Sequence, residues 1–123
     1  MRLLKLIVVI ILFAAGTALY AWKTGDRVPA KPNDGFWYPG TISRLGSGSV
    51  DFKISFDNGE TAVLPAHRIR AFNWNIGTRV QCKGKNMDAF SWGKIIRVAG
   101  NAISISYDGD KNEEHPLSAC RSN

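Results

Sequence analysis

The chain has 123 residues, 45% of them hydrophobic, and a formal charge of +6. Arg2 and Lys5 lie in an apolar N-terminal stretch, so the rest carries 14 Lys/Arg against 10 Asp/Glu, scattered along its length. A phosphate-binding face needs clustered positive charge, so nucleic acid is not indicated as a partner. The remaining length, on the order of a hundred residues, excludes a large core, and smaller units within it need a packed neighbour or a covalent brace.

The first element in chain order is a leader. Arg2 and Lys5 precede Leu6–Phe13, an unbroken apolar run, and small residues succeed it from Ala14 to Ala21. This is the anatomy of a secretory signal peptide, with cleavage suited to the positions after Ala18 or Ala21. The same stretch also fits an uncleaved anchor. Leu6–Trp22 is 17 residues without charge, with Tyr20, Trp22 and Lys23 at its end as an interfacial belt, and residues 3–22 would then contact the membrane. Residues 1–22 are thus a signal peptide or a hydrophobic anchor helix, and in both cases the rest of the chain is expected outside the cytosol.

Residues 25–123 show no helical periodicity. Arg27–Ala30 and Tyr38–Leu45 read as strands, the second closing at the Gly46-Ser47-Gly48 turn. Val50, Phe52, Ile54 and Phe56 then alternate with Asp51, Lys53, Ser55 and Asp57, the period of a strand with one buried face. Asp57-Asn58-Gly59-Glu60 supplies a hairpin turn, because Asn-Gly accepts positive φ at low cost. Glu60–Leu64 returns, Pro65 ends it, and Arg68–Phe72 is the fifth strand.

The pattern then repeats. Gly25-Asp26-Arg27-Val28 is answered by Gly77-Thr78-Arg79-Val80, Ile42 by Ile95, and Phe56 by Tyr107, at offsets of 52, 53 and 51. Ile103, Ile105 and Tyr107 alternate with Ser104, Ser106 and Asp108 before an Asp-Gly turn. A fixed period marks two copies of one unit, here residues 23–72 and 77–123 joined by the short linker 73–76. The fold class is all-β: two small five-stranded units in tandem, each closing on itself so that no sheet edge stays open.

The residues at 25–28, Asp34-Gly35-Phe36-Trp37-Tyr38-Pro39-Gly40-Thr41-Ile42 and Phe56-Asp57-Asn58-Gly59-Glu60 resemble a Tudor domain of the Tudor/Agenet group. The resemblance covers the first unit fully and extends to the second through the internal repeat. It implies two tandem Tudor-type barrels of the Src-homology-3-like kind. The short aromatic linker implies barrels that touch, with Trp74 either at their junction or packed on its own barrel.

Tudor domains hold methylated lysine or arginine in an aromatic cage through cation–π attraction. The resemblance carries this to Tyr38 and Phe56, with Asp57 or Asn58 offering a carboxylate or amide beside the cation and Trp37 as a further ring. Lys31 stands where many members have an aromatic. In the second repeat the equivalents are Trp92, Tyr107 and Asp108, with Ser91 at the position of Tyr38. The opposing reading is that Phe56 and Tyr107 simply continue the buried faces of their strands.

No nucleophile–base pairing, phosphate-cradling glycine pattern or zinc spacing is present, so no enzyme activity, metal or cofactor is expected. His67 and His115 read as surface histidines at unrelated repeat positions. Asp108, Asp110, Glu113 and Glu114 read as a solvated acidic turn. The combined expectation is a non-enzymatic binding module, exported or membrane-tethered, for a protein segment or a charged envelope polymer. A methyl-lysine or methyl-arginine peptide reader and a structural accessory subunit of a membrane complex are the alternatives.

The only cysteines, Cys82 and Cys120, take the repeat positions of Ala30 and Ile69. In a Tudor-type barrel these lie on the first and last strands, which meet at closure. An even number of cysteines behind an export signal predicts a disulfide between them.

Overall fold

The computed structural model describes residues 22–45, 51–84, 88–107 and 111–123. The leader up to residue 21, the Gly46-Ser47-Gly48 turn, Asp108 and Asp110 lie outside the described residues. Among the described residues nine strands form two antiparallel sheets. The first holds β1 (Arg27–Ala30), β2 (Tyr38–Leu45), β3 (Asp51–Phe56) and β4 (Thr61–Pro65), in that order. The second is built from β5 (Arg79–Cys82), β6 (Ser91–Ala99), β7 (Ala102–Tyr107), β8 (Lys111–Pro116) and β9 (Cys120–Arg121), in the order β8-β7-β6-β5-β9.

The repeat read from spacing is a repeat in register. Val28 pairs with Gly40 and Val80 with Gly93; Ile42 pairs with Ile54 and Ile95 with Ile105. The same irregularity falls between Ile42 and Arg44 and between Ile95 and Arg97, and such a bulge bends a strand so that it can serve both halves of a small barrel. Gly93 is required where β6 crosses β7, since a Cβ there would lie 2.3 Å from Cγ2 of Ile105. The alternating residues of β3 fill the first core, where Phe52, Ile54 and Phe56 meet Val28, Ala30, Ile42, Leu64 and Ile69. Val80, Cys82, Ile95, Ile103, Ile105 and Cys120 do the same in the second.

The fifth strand expected at Arg68–Phe72 is reduced to one bridge, Ala30↔Ile69, so the first sheet has four strands rather than five. The cause is Pro29. Lys31 N–H donates to Arg68 and Arg70 N–H to Pro29, but proline has no N–H to return, and the ladder stops. Gln81 stands at the same place in the second repeat and pairs with Arg121, so β9 forms there.

Trp74 is buried in the core of the second repeat and donates its indole N–H to Ser122 Oγ at 3.2 Å. Phe72 packs against the same core, so the second repeat begins before the linker does. Trp22, the last residue of the expected leader and 52 positions before Trp74, packs against the first core in the same way.

The barrels touch elsewhere. Trp37 and Ser122 exchange backbone hydrogen bonds of 2.8 and 2.9 Å, so the end of the second repeat adds to the start of β2 in the first. The adjacent Arg121 guanidinium lies between the rings of Phe36 and Phe90, 3.8 Å from each centroid. Cys82 and Cys120 are a register pair of β5 and β9 and form the predicted disulfide, with Cα atoms 4.1 Å apart.

Candidate functional site

A cleft of about 440 Å³ opens where β2 and β3 of the first repeat face the second repeat. Tyr38 and Phe56 form its aromatic wall, edge to face with centroids 6.2 Å apart. Phe56 is 6% exposed. It continues the buried face of β3 and also lines the cleft, so the core reading and the ligand reading of this ring describe two sides of it. Asn58 lines the rim and accepts from Glu60 N–H, which fixes the turn and brings the Glu60 carboxylate to the same opening. Phe90 and Lys83 of the second repeat complete the boundary.

The carboxylate beside Tyr38 is Asp34, not Asp57. The Tyr38 hydroxyl donates to Asp34 and accepts from Arg121 Nη1 at 2.9 Å. Burial first and then the Asp34 carboxylate push the Tyr38 phenol up, with Arg121 opposing them. Asp34 is positioned by its own loop, where its second oxygen accepts from Phe36 N–H. Asp57 instead grips Arg27 with both oxygens at 2.6 Å, and Arg27 also reaches Thr41. That pair holds the Arg27 guanidinium above its usual range and occupies both Asp57 oxygens.

Trp37 is separated from Tyr38 by strand alternation. Its ring is covered by Arg70 at 3.9 Å, with Lys31 at 5.7 Å. Phe90, at the equivalent place before β6, is flanked in the same manner by Arg121 and Lys83. Of the expected residues Trp37, Tyr38, Phe56, Asp57 and Asn58, the structure brings Tyr38, Phe56 and Asn58 to one cleft, where Asp34, Glu60 and Phe90 also lie. The Asp34-Gly35 turn ahead of the aromatic strand was the available signal for Asp34.

In the second repeat a cleft of about 520 Å³ brings Trp92 and Tyr107 together with Phe90, Ser91, Lys111 and Glu113. His115 is not a surface residue; it is 5% exposed, 2.7 Å from the Tyr107 hydroxyl and 3.2 Å from Glu113. The first repeat has Leu64, Phe56 and Ala62 at these three register positions. An apolar trio there has become a polar Tyr–His–Glu cluster here, with Nε2 of His115 as the shared point of contact. Burial and then the Glu113 carboxylate push the Tyr107 phenol up. Glu113 and Glu114 are neighbours on β8, so they do not converge, and among the described residues no group of three His, Cys, Asp or Glu side chains is arranged to hold a metal.

No protein-family model matches the chain, and no curated protein matches it. Solved structures do resemble it. The tandem tudor domains of Crb2 superpose with a TM-score of 0.60 at 16% identity, covering 84% of this chain and 81% of that one. The AGD34 part of Arabidopsis thaliana AGDP1 gives a TM-score of 0.43 at 11% identity, over 87% of this chain and 84% of that one. The SAWADEE domain of Arabidopsis thaliana SHH1 gives 0.34 at 14% identity, over 84% and 98%. The chain thus has a fold resembling that of a tandem tudor structure, built from two antiparallel sheets of four and five strands.

Proposed function

We propose that this chain is a non-enzymatic binding module that takes a protein segment by a cationic side chain, lysine or arginine or their methylated forms, at the cleft of the first repeat. The observation that carries this reading is the Tyr38–Phe56 edge pair flanked by the carboxylates of Asp34 and Glu60 in a space of about 440 Å³. Aromatic faces attract a cation through their quadrupole, and each well-placed ring contributes roughly 0.5–2 kcal/mol depending on desolvation. The two carboxylates add Coulomb attraction, against the opposing charges of Lys83 at the rim and Arg121 on the Tyr38 hydroxyl.

The module works outside the cytosol, delivered by the leader whether that segment is cleaved or kept as a tether. The Cys82–Cys120 disulfide supports this placement, because such bonds persist in oxidising compartments. Among the described residues no helix is long and apolar enough to cross a membrane, so tethering would rest on the leader alone.

The test is calorimetric titration with three matched peptides bearing lysine, trimethyl-lysine or glutamate at one position. A preference for the cationic peptides, lost in both Asp34→Asn and Glu60→Gln, is expected. Equal binding of the glutamate peptide, or binding unchanged in both variants, overturns the reading. Failure of all three peptides would favour a structural subunit instead.

A further inference from the structure

A second cleft lies on the other side of the junction and has the opposite chemistry. It measures about 310 Å³ and is lined by Arg70, Asn73, Thr78, Arg79, Trp92, Ser122 and the terminal residue Asn123, with no Asp or Glu side chain among the described residues on its walls. The ion pairs among the described residues are Lys23–Asp26, Arg27–Asp57 and Lys111–Glu113, and neither Arg70 nor Arg79 belongs to one.

Three features of this cleft are built rather than incidental. The Arg70 guanidinium is laid on Trp37 at 3.9 Å, which occupies its face and leaves its N–H edge to donate. Its Nε is buried and has no hydrogen-bond partner, the one such side-chain nitrogen or oxygen among the described residues. The residue as a whole is only half-buried, so its terminal N–H groups remain to donate. Ser122 is 4% exposed and its Oγ accepts from Trp74, so its own proton remains free to donate. Arg79 is steered over Trp92 at 5.6 Å, which brings the second guanidinium to the same opening.

We propose that this inter-repeat cleft binds a tetrahedral oxyanion of the phosphate or sulfate class. Two guanidiniums, a serine hydroxyl and the Asn73 amide offer donors from several directions, and the two positive charges, set against the terminal carboxylate of Asn123, favour an anion with several oxygens over a single carboxylate. Arginine is suited to this because its fork bonds two oxygens at once. An oxyanion in the cleft bonds the terminal N–H groups of Arg70, since its Nε is closed off from the opening. The site uses none of the residues of the cationic-peptide cleft, so the two sites stand or fall separately.

The experiment is a titration of the intact protein with inorganic phosphate at constant ionic strength, monitored by NMR at the Trp92 indole N–H and the Ser122 amide. Parallel titrations use sulfate, glycerol phosphate and acetate. Saturable shifts confined to this cleft are expected with phosphate and sulfate. Arg70→Gln and the exposed Arg79→Gln should each weaken binding at least about ten-fold, while Arg44→Gln on the distant end of β2 should not. Tighter binding of glycerol phosphate would assign the oxyanion to an ester on a larger molecule, and weaker binding would assign it to the free ion. Shifts that never saturate, affinity unchanged in Arg79→Gln, or acetate binding as tightly as phosphate would overturn the proposal.

Discussion

Arg121 reaches across the two repeats to the hydroxyl of Tyr38, 83 positions earlier, with a hydrogen bond of 2.9 Å. Its Nε donates to Gln81 at 2.8 Å, and its plane is held between Phe36 and Phe90. One side chain thus joins the closing strand of the second repeat to the aromatic wall of the first. This relation changes what a mutation at Tyr38 reports: truncating it removes a junction contact as well as a cleft wall, which is why charge-neutral changes at Asp34 and Glu60 are the cleaner probes of binding.

Arg121→Ala should therefore destabilise the pair of repeats by about 2 kcal/mol, from two partly desolvated cation–π contacts and the hydrogen bond to Tyr38. Urea denaturation should show the loss. Arg121→Lys should recover little of it, because an ammonium cannot stack flat between two rings while bonding in its plane. Full stability in Arg121→Lys would show that only the charge matters.

What the sequence revealed and what it concealed divide along a physical line. The offset from Arg27 to Arg79 and the alternation through Phe52 and Ile103 report local strand geometry and one core per repeat, and both were legible. So was the cysteine pair, because repeat alignment placed it on the two strands that close the barrel. The junction was not legible, since Phe36, Phe90 and Arg121 come from loops and a chain end that carry no period. Asp57 was misread for a related reason: its neighbour Asn58 does line the cleft, but one residue along a turn sends a side chain elsewhere, and Arg27 lay waiting for it. The short fifth strand of the first repeat was readable from Pro29 by the rule that proline cannot donate to a ladder.

The Tyr107–His115 pair should behave as a coupled unit. His115→Leu alone copies Leu64 of the first repeat but strands the Tyr107 hydroxyl, and Tyr107→Phe alone leaves the imidazole with Glu113 as its one partner. His115→Leu should lose about 1–3 kcal/mol through the unsatisfied hydroxyl, and Tyr107→Phe should lose less, because His115 keeps its contact with Glu113. The double variant should regain a large part of that loss, giving a coupling on the order of 1 kcal/mol or more in a double-mutant cycle. Additive losses would mean that the hydrogen bond seen at 2.7 Å contributes nothing to stability.

Alkaline pH should loosen the fold through the two tyrosines. Burial leads the causes that raise the phenols of both Tyr38 and Tyr107 above the ordinary value of 10.0. The folded state therefore holds these protons more tightly than the unfolded chain does. That contribution is complete below the ordinary value and is lost as pH rises through the raised folded value. Melting temperature should fall with pH above about 10, and the fall should be shallower in Tyr107→Phe combined with His115→Leu. An identical profile in that double variant would remove Tyr107 from the explanation.

The disulfide should carry a large share of the stability of the second repeat. Cys82 and Cys120 are 38 positions apart, and their pairing removes freedom from the unfolded chain rather than adding contacts to the folded one. In the chain-entropy account a loop of this length is worth about 4 kcal/mol. The informative variant is Cys82→Ala with Cys120→Ile, because it installs the Ala30–Ile69 contact that closes the first repeat without a covalent bond. Its folded core should remain, since both replacements are apolar and suit a site that the sister barrel already fills. Its denaturation midpoint should nevertheless drop by most of the loop-closure contribution, and the reducing agent that lowers the parent protein's midpoint should leave the variant unchanged. The free-thiol assay on denatured, unreduced parent protein should find none. Two free thiols there, or a variant as stable as the parent, would show that closure of this barrel rests on packing alone.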